Sequence, residues 1–350
     1  MNKDRDYSID FFKGITVVSI IFIHTVWWSG QSYVPNIVAQ FSLLVDVPLF
    51  FFLSGASANF SFHKKTVFSG VIRLIVLFTL FFAVYAYLYM PNDILKNITK
   101  SIFLQFPWAP EAKIVSGSTW FIPIFVVVYF ISYLIISHLG KNKIIPIICI
   151  LLLYLMYKYE TIETFKELKI LSLTPDYVFS NLFFFLFGFY YYKKIRLSKN
   201  VKWLALILVL VSSSLLICHF IDIPFNLQSL KFPHRFYYVV ASIISISITM
   251  LLSGLIKKEY FFNYLGKNAL QFYLAEGIGS GLLLVILPKI QLQWPLKLSI
   301  AFVLNFIMTF IFAIAIKYIL KYYILGSTKL LDYIDNFDLS QFLTKLKRRK

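Results

Sequence analysis

Long apolar runs, separated by short segments that hold most of the charge, dominate this chain from end to end. A bilayer core takes roughly 20 apolar residues per helix. By that measure the runs predict membrane-spanning helices over 9–29, 40–61, 70–90, 119–138, 144–158, 176–192, 203–220, 236–256, 268–287 and 298–322. The fifth run is short and the tenth long. The predicted fold is an all-α polytopic membrane protein of about ten transmembrane helices, which puts both termini on one side.

The gaps between runs set the orientation. With the N-terminus in the cytoplasm, 24 of the 34 Lys and Arg residues fall in cytoplasmic segments, as the positive-inside bias requires. The first run closes on Trp27, Trp28 and Ser29 rather than on a small-x-small cleavage site, so it is expected to stay in the protein. Two outward loops are longer than bare connectors need: 91–118, with Pro91, Pro107, Trp108 and Pro110, and 221–235, with Pro224, Pro233, His234 and Arg235. Residues 1–322 read as a single transmembrane domain. Residues 323–350 read as a basic cytoplasmic tail suited to an anionic leaflet.

Composition agrees with lipid as the solvent. Hydrophobic residues make up 59% and charged ones 14%, where a soluble domain carries about 25% charged. Mean hydropathy is +0.76. The two cysteines, Cys149 and Cys218, lie inside apolar runs and suggest neither a metal motif nor a disulfide framework. A formal charge of +18 could signal nucleic acid, but the basic residues are scattered between spans rather than massed, so no nucleic-acid partner is expected. Whether copies associate into a homo-oligomer is left open.

Ionisable residues inside spans are costly and therefore candidates for function. Of the acidic residues, Asp10, Asp46 and Glu276 are the candidates taken from within or at the edge of a run; of the histidines, only His24 lies well inside one. Lys13 and His24 are eleven residues apart, about 1,100° of helix, so they share a face about 16 Å apart along the axis. Asp10 lies near the same face. Such a helix suits a long ligand with an anionic head inside and a reactive end deep in the membrane. His24 and Asp46 fall at nearly equal depth on consecutive spans, so Asp46 is expected to support the imidazole as a base. Its other reading is a cap for the irregularity at Pro48. Lys64, Lys65 and Arg73 gather at the cytoplasmic end of the third span as phosphate-binding candidates. Trp120, His234 and Arg235 stand at the outer mouth, and Glu276 is placed to hold substrate hydroxyls or another polar partner.

Several of these segments are similar to one family. YSIDFFKGITVVSIIFIHT (7–25) resembles the opening helix of the acyltransferase family 3 integral membrane proteins. PLFFFLSGAS (48–57), STWFIPIFVVVYFISY (118–133) and LGKNALQFYLAEG (265–277) resemble three further helices of that family. The resemblance implies a membrane O-acyltransferase in a bacterial inner membrane. It would move an acyl group, commonly acetyl, from cytoplasmic acyl-CoA to a cell-envelope sugar, without a metal. It makes His24 the essential base, with Lys13 and Arg73 as donor-binding cations. Three positions depart from the pattern: lysine stands at 13 where the family has arginine, one arginine is missing ahead of Arg73, and Glu276 stands where histidine is expected. A proton-coupled exporter or a saccharide flippase is the rival class for such a chain.

Overall fold

The structure is a computed structural model and describes residues 6–28, 33–61, 64–105, 113–138, 144–161, 174–194, 201–221, 223–232 and 234–319. It is helical throughout these segments, with no strand among the described residues. In lipid this follows from the backbone: every N–H and C=O needs an internal partner, and an α-helix supplies one within its own segment. Eight described stretches are long and apolar enough to span a membrane. These are Tyr7–Trp28, Asn36–Phe60, Gly70–Tyr89, Phe121–His138, Lys202–Phe220, Phe236–Leu255, Ala269–Lys289 and Trp294–Ile319. The remaining two expected positions hold a shorter apolar helix, Ile144–Lys158, and the more polar Pro175–Lys194. The tail at 323–350 lies outside the described residues.

Two helices form the inside of the bundle. The first, α1 (Tyr7–Trp28), packs against Phe261–Lys267, Ala269–Ile286, Trp294–Ile319 and Val47–Ser61. The second, Pro175–Lys194, packs along Val47–Ser61 and Ile144–Thr161, burying a phenylalanine run that includes Phe184 and Phe185. The helices Val201–Phe220 and Trp294–Ile319 lie outside these, with Ile207, Leu210, Ile217, Val303 and Ile311 exposed. Trp294–Ile319 turns Ala301, Asn305, Thr309 and Ala313 inward at a spacing of four residues. Lipid tails are as apolar as Leu, so close packing of small and polar residues, rather than hydrophobicity, draws such a helix inward.

One expectation about the runs needs correcting. The second run is broken into Asn36–Ser42 and Val47–Ser61 rather than forming one helix over 40–61. Asp46 sits in the break and accepts from the Val47 N–H at 2.7 Å, while its carbonyl accepts from Leu49 N–H at 3.0 Å. Pro48 supplies no donor and tolerates the start of the new helix. The ninth run keeps its expected place as Ala269–Ile286, and the segment before it holds a separate short helix, Phe261–Lys267.

Candidate active site

His24 lies in α1, four residues before the helix ends, and is 7% exposed. Its Nδ1 meets the Oε2 of Glu276, which is 1% exposed on Ala269–Ile286. Trp28, one helical turn along, stacks on the imidazole with ring centroids 4.0 Å apart and planes within 4°. The ring is thus clamped by a carboxylate at one nitrogen and an indole on one face. Behind the pair, Asn305 Nδ2 donates to Thr25 Oγ1 and Ser280 Oγ, each at 3.0 Å. Those partners are the neighbour of His24 and the residue one turn past Glu276, so Asn305 ties the two helices together where the pair forms.

Asp46 does not take the place expected for it beside His24. It is 3% exposed, and its Oδ2 accepts from Lys231 Nζ at 2.5 Å and from the Tyr238 hydroxyl at 2.7 Å. The carboxylate at the imidazole is Glu276. Equal depth on consecutive spans said nothing of rotation about each helix, and the break at 43–46 turns Asp46 toward the 221–235 loop instead.

That loop is not a surface connector. Asn226 caps the short helix Leu227–Lys231 by accepting from Ser229 N–H at 3.0 Å, and Gln228 N–H donates to the buried Gln40 side chain at 3.1 Å. Lys231 is consequently 5% exposed, and His234, expected at the mouth, is 2% exposed. His234 N–H donates to Asp176 Oδ2 at 2.8 Å, and its ring meets Trp120, Tyr177 and Tyr238 with centroids 6.1, 4.7 and 5.0 Å apart. Burial, reinforced by the Lys231 ammonium, pushes the His234 imidazole down to about 3 from its ordinary 6.5. Lys231 also bears electrostatically on Glu276, and Asp46 on His234, so the two groups of polar residues form one neighbourhood.

A family model described as an acyltransferase domain matches residues 6–322. The chain belongs to this acyltransferase family. No curated protein and no solved structure matches it. The family and the apolar helices together make the protein a multi-pass membrane acyltransferase.

The remaining site candidates of this acyltransferase are Lys13, Asp10, Lys64, Lys65, Arg73, Trp120 and Arg235. Lys13 is half-buried and Asp10 buried on α1, eleven and fourteen residues before His24. Arg73 is exposed on Lys64–Tyr89. Lys64 and Lys65 begin that helix, and their side chains are outside the described ones. Trp120 is half-buried among Tyr177, Phe232 and His234, while Arg235 is exposed beside them. Lys231 and Tyr238 were not legible as site residues, whereas Asp176, at the edge of the 176–192 run, carried the signal and was missed. Lys231 has the flanking pattern Leu230-Lys-Phe232, a weak signal that a loop lysine turns inward.

Proposed function

We propose that this acyltransferase moves an acetyl group from cytoplasmic acetyl-CoA to a hydroxyl of a cell-surface saccharide, with His24 as general base. The buried His24–Glu276 pair carries the reading. A carboxylate at Nδ1 holds the tautomer whose Nε2 lone pair is available to an acceptor hydroxyl. The hydroxyl oxygen attacks the thioester carbonyl carbon as its proton passes to Nε2, and Glu276 stabilises the imidazolium that forms. Collapse breaks the C–S bond, and the departing sulfur takes the proton back from Nε2. Direct attack fits the surroundings. Lys231 is near but ion-paired with Asp46, and an ammonium has no lone pair to attack with.

The donor reading rests on α1. An anionic CoA head at Lys13, Arg73, Lys64 and Lys65, with Asp10 among them, leaves about 16 Å along the axis for the arm to reach His24. The acceptor reading rests on Glu276, Trp120, His234 and Arg235 at the opposite end, in a bacterial inner membrane with its N-terminus inside. His24→Ala is expected to leave less than about a hundredth of wild-type transfer, since general-base removal costs 10²-fold or more, with protein in the membrane at wild-type level. The readout is mass spectrometry of surface glycans for one acetyl unit. Transfer above about a tenth of wild type removes His24 from this role.

A further inference from the structure

The helix Pro175–Lys194 begins with a cluster of polar side chains that the reaction above does not use. Asp176, Ser180 and Asn181 are each at most 1% exposed, and His234 reaches into the cluster from the 221–235 loop. Hydrogen counting assigns its protons. Ser180 Oγ has one hydrogen, and the carbonyls of Asp176 and Tyr177 lie 2.7 and 3.2 Å away. A carbonyl only accepts, so the hydroxyl donates there. Toward His234 Nδ1, at 2.7 Å, Ser180 Oγ therefore accepts, and Nδ1 carries the hydrogen. The neutral ring then presents a bare lone pair at Nε2, which has no hydrogen-bond partner among the described residues.

Two more acceptors stand in the same condition. Asn181 donates one of its two Nδ2 hydrogens to Tyr177 O at 2.7 Å, and its Oδ1 has no partner among the described residues. Asp176 Oδ2 accepts from the His234 N–H, and its Oδ1 has no partner in strict hydrogen-bonding geometry among the described residues. The Thr174 hydroxyl, itself without a partner in strict hydrogen-bonding geometry, acts on the Asp176 carboxylate as a donor. Buried polar atoms are paired in about nine cases of ten, so several orphans in one cluster, acceptors above all, point to a ligand rich in donors. The rings of Trp120, Tyr177 and Phe232 stand around it, with centroids 5.6–6.3 Å from one another. Residues 118–120 link the cluster to the base: Ser118 lies beside Glu276, and the Trp120 ring lies beside His234.

We propose that Asp176, Asn181 and His234 are the floor of the acceptor subsite, taking hydrogen bonds from the hydroxyls of a neutral saccharide walled by Trp120, Tyr177 and Phe232. This rests on the saccharide-acceptor reading and adds the residues and the polarity of its ligand. A floor whose unpartnered atoms are acceptors selects O–H donors and disfavours an anionic sugar.

The test uses the full chain in lipid nanodiscs and saturation-transfer NMR. The probes are the methyl glycosides of glucose, galactose, mannose and N-acetylglucosamine, with their permethylated forms as controls. At least one glycoside is expected to bind, and its permethylated form, which keeps the ring but has no O–H donor, is not. Asp176→Asn keeps the shape and an oxygen for the His234 N–H but turns the orphan acceptor into a donor. It should weaken glycoside binding at least tenfold while its thermal unfolding stays within a few degrees of wild type. Binding within twofold of wild type, equal binding of the permethylated forms, or binding by none of the four overturns the proposal. So does a wild-type response to ammonium, potassium or magnesium ions that Asp176→Asn abolishes, which would make the floor a cation site. Glycan mass spectrometry separates the two readings. Acetylated glycan in cells with an indifferent Asp176→Asn defeats the subsite alone, whereas glycoside binding without acetylated glycan defeats the saccharide-acetylation reading alone.

Discussion

His234 is held neutral in the folded protein down to about pH 3, whereas in the unfolded chain it protonates near 6.5. Between those values the unfolded state binds one more proton, so stability rises with pH across the window. The contribution is complete above pH 6.5 and is lost as pH falls toward 3. Over the step from pH 6.5 to 5 the loss approaches about 2 kcal/mol, one proton at about 1.4 kcal/mol per unit. Thermal unfolding in detergent at several pH values should show this slope, and His234→Asn should flatten it. An equal slope in wild type and variant assigns the acid sensitivity to other groups. Tyr238 shows the same dependence on surroundings. Nothing in its place along an apolar helix marks it, yet its hydroxyl is the second donor on Asp46.

Among helices, two glycine crossings set the bundle's spacing. A Cβ on Gly188 would meet Phe52 O at 1.9 Å, and one on Gly55 would meet Phe185 O at 1.9 Å, so Val47–Ser61 and Pro175–Lys194 touch backbone to backbone. The same reciprocity joins α1 to Phe261–Lys267, where a Cβ on Gly14 would meet Phe262 O at 2.0 Å and one on Gly266 would meet Asp10 O at 1.8 Å. Small residues permit this approach, and the approach supplies the packing that holds helices together in lipid. Gly188→Ala should therefore cost at least about 1–3 kcal/mol, the usual cost of overpacking a filled core. A thermal shift assay would show it as a drop of several degrees. Gly254→Ala, with nothing within 4 Å of its Cβ, serves as the control and should move little. The run Ser54-Gly55-Ala56-Ser57 shows locally that a helix can come close, but nothing local names Gly188 as its partner. Crossing partners are 133 residues apart in sequence, and no local pattern links them.

For the whole molecule, the proposed chemistry divides the substrates between two faces. Lys13 lies toward one end of α1, and His24, paired with Glu276 in the neighbourhood of Lys231 and His234, lies toward the other. In sealed vesicles of known orientation, product should form only with acetyl-CoA on the cytoplasmic face and acceptor on the opposite one. CoA itself should stay on the face where it was added. Product from both substrates on the cytoplasmic face alone would reverse the placement of the acceptor site.

The sequence by itself determined the solvent, the helical class and the place of His24 near the end of its apolar run. Each follows from local quantities: the length of an apolar run against a bilayer's thickness, the lack of water to satisfy an open backbone, and the place of one residue in its run. Coverage of 6–322 by the acyltransferase family accords with motifs spread through those runs. Only the tertiary structure decided which carboxylate meets His24, because that depends on how each helix is rotated and where the second run breaks. It likewise decided that Lys231 and His234 are interior groups. A polar loop reads as solvated until its helix is capped by Asn226 and held against Gln40, and burial is a property of what packs over a residue rather than of the residue's own neighbours in the chain.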